Sequence, residues 1–187
     1  MRAGTTGLPV AVFLWCAVAS GTAQERPAPL QAGAEAFARI ATVLQSPRCL
    51  NCHPRGDRPS QGDDRHVHLT NVQRGADNSG VAAMRCATCH QAHNNDMAGI
   101  PGAPHWHLAP ASMGWVGLSD GELCRTLLDP AKNGGRSVAA LVTHMTSDEL
   151  VLWAWNPGGG RTVPPVSAAE LAAALDQWAR AGAPCPN

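Results

Sequence analysis

One short pattern, C-x-x-C-H, occurs twice in this chain, as CLNCH at residues 49–53 and as CATCH at residues 86–90. Two thiols at this spacing lie on one helical turn, where both can add to the vinyl groups of one porphyrin, and the following histidine then faces the iron. The sequence therefore predicts two covalently bound c-type haems. The four thioether positions and the two proximal iron ligands would be Cys49, Cys52, His53, Cys86, Cys89 and His90.

A zinc site is the main alternative, since pairs of C-x-x-C also occur in zinc ribbons, and a single pair also occurs in redox dithiols. The gap between the two pairs here is 33 residues, whereas a ribbon usually has about 15 to 20. A zinc ribbon would also not need a histidine directly after each pair. The repeated histidine favours haem.

The amino-acid composition leaves little material for an aliphatic core. Leu, Ile, Val and Phe together make up less than a fifth of the 187 residues, and the chain has 19 Gly and 15 Pro. Two buried porphyrins would supply the missing apolar volume. The tryptophans that we expect beside them are Trp106, Trp115, Trp153, Trp155 and Trp178, with a plain helix-core role as the alternative for Trp153 and Trp178.

Length and charge narrow the function further. A chain of this length forms one ordinary domain or two very small ones. The 14 basic and 14 acidic residues give no net charge, which excludes the basic excess of nucleic-acid-binding proteins.

The N-terminal sequence predicts export. Arg2 precedes an apolar run over residues 8–19, and small residues follow at 20–23. This order is typical of a secretory signal peptide over residues 1–23, which would leave one mature domain over residues 24–187 in the periplasm. A retained membrane anchor would need about 20 apolar residues. A lipoprotein signal is disfavoured because the bulky Trp15 precedes Cys16, and we expect no membrane span in the mature protein.

Helical periodicity and helix-start signals run through the rest of the chain. Apolar spacing predicts a helix over residues 32–45 after a proline-containing linker. Capping-box spacing predicts three more helix starts, at Ser119-x-x-Glu122, Thr146-x-x-Glu149 and Ser167-x-x-Glu170. Residues 54–80 and 94–117 are rich in glycine, proline and polar residues, which predicts irregular loops. The expected fold class is mostly α: a dihaem cytochrome c-like domain with long irregular loops and few or no strands.

The cysteines outside the two motifs predict a disulfide. Without Cys16 in the signal and the four motif cysteines, Cys124 and Cys185 remain. An even remainder in an oxidising compartment indicates a bridge between them, and two separate buried thiols are the alternative.

The distal iron ligands have several candidates. His93 and Met84 are too close in sequence to their own motif to reach the far side of its haem. We prefer His68 and His107 as distal ligands, because His107 has the more apolar sequence neighbours, and we keep His144 as the alternative. The other candidates are His66, His105, Met97, Met113 and Met145.

Four arginines near the motifs have two possible roles. Arg48, Arg55, Arg58 and Arg85 either form a docking patch for a partner or pair with haem propionates, with propionate pairing slightly favoured.

Several stretches of the sequence also resemble a known protein family. The stretches CLNCHPRGDRPSQGDDRHVH, GVAAMRCATCHQAHN, PGAPHWHLAP, DPAKNGGR and WARAGAPCP are similar to small exported proteins labelled isoquinoline 1-oxidoreductase subunit, over nearly the whole mature chain. The resemblance implies a c-type cytochrome that works beside a molybdenum hydroxylase of the isoquinoline or aldehyde oxidoreductase type. It supports the six motif positions, and it marks His68, His107 and His144 without deciding which of them bind iron.

Two functions follow from these patterns. The first is electron transfer between a molybdenum hydroxylase and a downstream acceptor, with no catalytic site in this chain. The second is a small haem enzyme or sensor, peroxidase-like, in which one iron keeps an open position for a ligand.

Overall fold

The computed structural model describes residue 1 and residues 27–187, so the predicted signal peptide over residues 1–23 lies outside the described residues. The described part is mostly helical, as predicted. Its α-helices are α1 (Ala28–Leu44), α2 (Pro47–Leu50), α3 (Asp120–Leu128), α4 (Val138–Ser147), α5 (Glu149–Leu152) and α6 (Ala168–Arg180). Short 3₁₀ turns cover Cys86–Thr88, Ala111–Met113 and Trp153–Trp155. In residues 27–187 no helix is long and apolar enough to cross a bilayer.

Helices α1 and α6 pack against each other and form the centre of the hydrophobic core. The apolar stripe predicted for α1 is buried, and its Phe37 ring lies 5.4 Å from the Trp178 ring of α6. Leu171 and Leu175 of α6 are buried beside Trp178. Helix α3 adds Leu123 and Leu127, both fully buried, whereas the neighbouring Leu128 is only half-buried. An aliphatic and aromatic core therefore exists apart from any cofactor.

Two of the three predicted capping boxes are confirmed. Ser119 caps α3 and Ser167 caps α6, each with the reciprocal glutamate bond. The third prediction is wrong, because Thr146 lies inside α4 and its hydroxyl donates to the Val142 carbonyl, 2.8 Å away. Asp148 starts α5 instead, and its carboxylate accepts from the backbone N–H of Leu150 at 2.9 Å. The later acidic residue can reach the free N–H groups of the new helix, which the threonine cannot.

Helix α1 begins earlier than predicted, at Ala28 rather than residue 32. Pro29 lies in its first turn, where no intrahelical partner exists for a backbone N–H, so the proline does not interrupt the helix. The helix ends at Leu44, and Pro47 opens the short α2 that carries the first motif.

The structure has two small antiparallel hairpins, one within the first predicted loop and one between that loop and the second motif. One pairs β1 (Ser60–Gln61) with β2 (His66–Val67), and the other pairs β3 (Gly80–Val81) with β4 (Met84–Arg85).

Arg74 is 5% exposed and donates to the carbonyls of Pro54 at 3.3 Å, Gly56 at 2.9 Å and Ala109. This one buried guanidinium holds the two long loops together.

The predicted disulfide partners lie together. The sulfur atoms of Cys124 in α3 and Cys185 near the C-terminus are 1.98 Å apart, and 61 residues separate the two in sequence. The indole N–H of Trp178 donates to the Pro184 carbonyl at 3.0 Å beside them. The C-terminal segment is thereby fixed against α3 and α6.

Candidate functional site

The first C-x-x-C-H motif forms one helical turn, as its spacing predicts. The backbone N–H groups of Cys52 and His53 both donate to the Cys49 carbonyl, at 3.1 Å each. The His53 ring stacks on Trp115, with ring centres 3.4 Å apart and an interplanar angle of 11°. Its Nδ1 lies 2.9 Å from the carbonyl oxygen of Met113.

The second motif repeats this arrangement with different partners. The backbone N–H of His90 donates to the Cys86 carbonyl at 2.9 Å, which closes the turn. The His90 ring stacks on Trp106, with centres 4.5 Å apart and an angle of 5°. Its Nδ1 lies 2.7 Å from the carbonyl oxygen of Pro101.

Both motif histidines have a ring orientation and a tautomer that could bind a metal. A carbonyl oxygen only accepts, so each Nδ1 must carry the proton and each Nε2 keeps its lone pair. Burial lowers the pKa of His53 to about 3 and also places the pKa of His90 below its ordinary value. Each ring is thus neutral near pH 7 and fixed in the tautomer that binds a metal through Nε2.

The first motif's cysteines favour an uncharged sulfur. Burial raises the pKa of Cys49 to about 11 and that of Cys52 to about 12. In the absence of a bound metal these thiols are therefore neutral at pH 7. Within the part of the chain that the structure describes, no group of three or more His, Cys, Asp or Glu side chains could hold a metal ion. The two C-x-x-C pairs therefore do not come together as a zinc ribbon would require.

A cavity of about 690 Å³ lies beside the second motif. Cys86, Cys89 and His90 line it from one side, and Trp106 and Trp153 form an aromatic corner with ring centres 4.8 Å apart. Ligand pockets usually have volumes of about 300 to 1,000 Å³. This cavity has the size and the mainly apolar character that a large organic cofactor requires.

His68 enters the same cavity and faces His90. The two ring centres are 6.2 Å apart and the ring planes are inclined by 76°. An imidazole nitrogen lies about 2 Å from a bound transition metal, and its ring centre lies about 1 Å beyond it, so two imidazoles on opposite sides of one ion have centres about 6 Å apart. The observed separation of His68 and His90 matches that value.

A smaller cavity of about 120 Å³ lies beside the first motif. Cys49, Cys52 and His53 line it together with two further histidines, His107 and His144. Its donors suit the same cofactor as the larger cavity, but its present volume is well below that of a ligand pocket, so a macrocycle would need the lining side chains to move apart.

The two further histidines differ in their exposure and in the group that contacts Nδ1. His144 lies in the last turns of α4, is half-buried, and has its Nδ1 3.1 Å from the Asp148 carboxylate. His107 lies in a loop, is exposed, and has its Nδ1 bonded to the carbonyl of His105. His107 also lines the larger cavity, so it lies between the two sites.

Three buried polar atoms in the cavity walls have no hydrogen-bond partner among the described residues: Arg48 Nε, Asn51 Oδ1 and Trp115 Nε1. Asn51 lines the larger cavity, Trp115 the smaller one and Arg48 both. Buried polar atoms are rarely left unpaired. Arg48 Nε and Trp115 Nε1 are donors and Asn51 Oδ1 is an acceptor, so the cavity walls hold unused hydrogen-bonding capacity of both kinds.

The remaining candidates from the sequence lie elsewhere or have other contacts. Trp178 belongs to the helical core, and Trp155 packs against that core while its indole N–H donates to the Val166 carbonyl at 2.8 Å. Met113 and Met145 line the smaller cavity, whereas Met97 is fully exposed. Sequence reasoning missed Asp148, which contacts His144, and Arg161, which lines the larger cavity. The aspartate four residues after His144 was a usable signal for the first of them.

Comparisons of the chain with protein-family models, with curated proteins and with solved structures found no match.

Proposed function

We propose that this protein is a periplasmic electron-transfer protein with two covalently bound c-type haems. One observation carries the proposal: in each C-x-x-C-H motif the histidine is oriented by a backbone carbonyl, beside a cavity that a second histidine enters. Six-coordinate irons of this kind suit electron transfer rather than ligand chemistry.

At the second site, Cys86 and Cys89 would hold the porphyrin. Each thiol adds across one vinyl group, its sulfur and its hydrogen both ending on the porphyrin side chain. His90 and His68 would bind the iron from opposite sides, since their ring separation of 6.2 Å suits one intervening ion. The Thr70 hydroxyl lies 2.8 Å from Nδ1 of His68, which leaves the Nε2 of His68 for the metal.

At the first site, Cys49, Cys52 and His53 would act in the same way, with His144 as the distal ligand. Asp148 accepts from Nδ1 of His144 and makes its Nε2 a better donor, which is the usual support for a metal-bound histidine. His107 is exposed and lines both cavities, so we assign it to the wall between the sites rather than to an iron.

A haem supplies an iron that changes between the ferric and ferrous states by one electron. The two sites share a wall, because four residues line both cavities: Arg48, Cys52, His107 and Trp153. A hydroxylation releases two electrons per turnover, and two adjacent one-electron sites can accept both. Together with the resemblance to isoquinoline 1-oxidoreductase subunits, this supports a molybdenum hydroxylase as the donor and a further periplasmic protein as the acceptor.

The covalent attachment is tested by mass spectrometry of the denatured mature protein. We expect the mass of the chain plus two haems, and extraction with acid acetone should leave the haem on the protein. Cys52→Ala and Cys89→Ala should each weaken attachment at one site. A chain that loses all its haem to acid acetone would disprove the proposal.

The ligand assignment is tested by carbon monoxide. The ferrous protein should not change its spectrum when carbon monoxide is added, because both irons are closed. His68→Ala and His144→Ala should each open one iron, and His107→Ala is the matched control that should open neither. A near-infrared band of a methionine–ferric iron bond would assign Met113 or Met145 to the first iron in place of His144.

The partner is tested by rapid mixing without oxygen. The purified cytochrome is mixed with a molybdenum hydroxylase from the same organism and with that enzyme's substrate, and haem reduction is followed by stopped flow. Reduction as fast as turnover is expected. Haems that stay oxidised while the same enzyme reduces an artificial dye would exclude this partner, and an open iron would then favour the peroxidase-like function.

A further inference from the structure

The larger cavity has cationic walls and no carboxylate. Arg48, Arg85 and Arg161 line it, and none of its lining residues is Asp or Glu. The charge of Arg85 is balanced outside the cavity by Asp77, whose carboxylate oxygens lie 3.0 and 2.7 Å from the guanidinium nitrogens. Asp63 pairs with Arg48 in the same way, so among these three arginines Arg161 is the one whose charge has no acidic partner in the described residues.

Arg161 contributes a charge without an acidic partner. Its guanidinium donates to the carbonyls of Pro157 at 3.1 Å, Gly158 at 3.3 Å and Gly99. No ion pair joins Arg161 to an acid within residues 27–187. These contacts orient the side chain but leave its positive charge uncompensated at the cavity.

Arg48 is the more unusual of the two, because it is 5% exposed and lies between the two cavities. One terminal nitrogen donates to the Gly62 carbonyl at 3.2 Å and to the carboxylate of Asp63. The other oxygen of Asp63 accepts from the Thr162 backbone N–H at 3.2 Å. The Arg48 Nε has no partner among the described residues. The Nε is closed off from both cavities, whereas Nη1 donates to no described residue and is not closed off, so Nη1 can donate to one more anionic oxygen.

We infer that Arg48 binds a carboxylate of the cofactor in the larger cavity and that its charge acts on both cofactor sites. This rests on the proposed function, in which each haem carries two propionates. The same burial excludes Arg48 from a docking patch, because a side chain with so little exposure cannot contact a partner protein. Arg161 then acts on the larger site alone, since it does not line the smaller cavity.

The test compares Arg48→Gln with Asp63→Asn by potentiometric titration of both haems. Both variants break the Arg48–Asp63 ion pair, but one removes a positive and the other a negative charge. A nearby positive charge favours the ferrous state, so Arg48→Gln should lower both midpoint potentials and Asp63→Asn should raise them. We expect Arg48→Gln to lower the ratio of ferrous to ferric haem at a fixed potential about tenfold, which equals about 59 mV for one electron.

Two further variants complete the design. Arg161→Gln should lower the potential of one haem only. Arg180→Gln is the matched control, because this exposed arginine is paired with Asp176 on α6 and lines neither cavity, so its removal should shift neither potential.

The outcomes separate the inference from the proposed function. If the denatured protein carries no haem, the proposed function fails. If both haems are attached but Arg48→Gln and Asp63→Asn shift the potentials in the same direction, Arg48 has only a structural role and the inference is overturned. Should Arg48→Gln not fold, Asp63→Asn decides alone: a rise in both potentials supports the inference, and no change in either overturns it.

Discussion

Removal of the Cys124–Cys185 bridge is expected to destabilise the protein strongly. The cross-link closes a loop of 61 residues, and the chain-entropy relation for a loop of that length gives about 4 kcal/mol at 25 °C. A domain of this size has a free energy of unfolding of about 5 to 15 kcal/mol. Reduction of this bridge should therefore cost a large part of the stability, although the Trp178–Pro184 hydrogen bond keeps the C-terminal segment in place in the folded state.

The assay is urea unfolding of the mature holoprotein with and without a strong reductant, compared with the Cys124→Ala/Cys185→Ala variant. Wild-type protein should lose about 4 kcal/mol on reduction, and its denaturant slope should rise because the unfolded chain is less compact. The variant should not respond to the reductant, which makes it the control for other effects of reduction. Equal stability of oxidised and reduced wild-type protein would refute the reasoning.

Two further predictions concern single side chains. Ser167→Ala removes the cap of α6 and should cost about 1 kcal/mol, whereas Thr42→Ala on an exposed helix face should cost much less. Hydrogen bonds from Ser167 hold the pKa of Glu170 below its usual value, so the part of the stability that depends on this carboxylate is lost as the pH falls through that lowered pKa. In urea unfolding the stability difference between the two proteins should narrow there without vanishing, because the Glu170 N–H still donates to the Ser167 hydroxyl. Gly102→Ala would place its Cβ 2.2 and 2.5 Å from two backbone carbonyl oxygens, so it should cost about 1 to 3 kcal/mol and alter the spectrum only of the haem that we propose at the second motif. Gly56→Ala has nothing within 4 Å of the new atom and is the control.

The parts of the fold that depend on local sequence were predictable. Ser119 and Ser167 start helices because a capping box acts within four residues, and the buried stripes of α1 and α6 follow from helical spacing. The error at Thr146 has a local cause too, since Asp148 competes for the same helix start two residues later. In this chain the capping-box pattern gave a wrong helix start only where two candidate start residues lie close together.

The geometry of the candidate sites was less predictable, because it depends on contacts between distant residues. The sequence identified both motifs and selected His68, which lies opposite His90 in the structure. It could not indicate that His144 and His107 would line the same cavity, because the two lie far apart in sequence and meet only in the folded chain. Nor could it indicate that Arg48 would line two cavities, because its burial is produced by the loop that carries Asp63.

One irregular segment orients the histidines of both motifs. Residues 101–115 supply the carbonyls of Pro101 and Met113 that fix the two Nδ1 atoms. The same segment supplies the indoles of Trp106 and Trp115 that stack on the two rings. The two sites are therefore similar because one loop supports both, although 32 residues separate the motifs themselves.

This arrangement gives the high proline content a physical role. Pro101, Pro104 and Pro110 lie within or at the start of this segment, and each fixes its own φ angle and restricts the residue before it. A loop with fewer accessible conformations loses less entropy when it folds, so it can hold two carbonyls and two indoles in place without regular hydrogen bonding. The helices thus provide the core of this protein, and a proline-restricted loop provides the rigidity on which both sites depend.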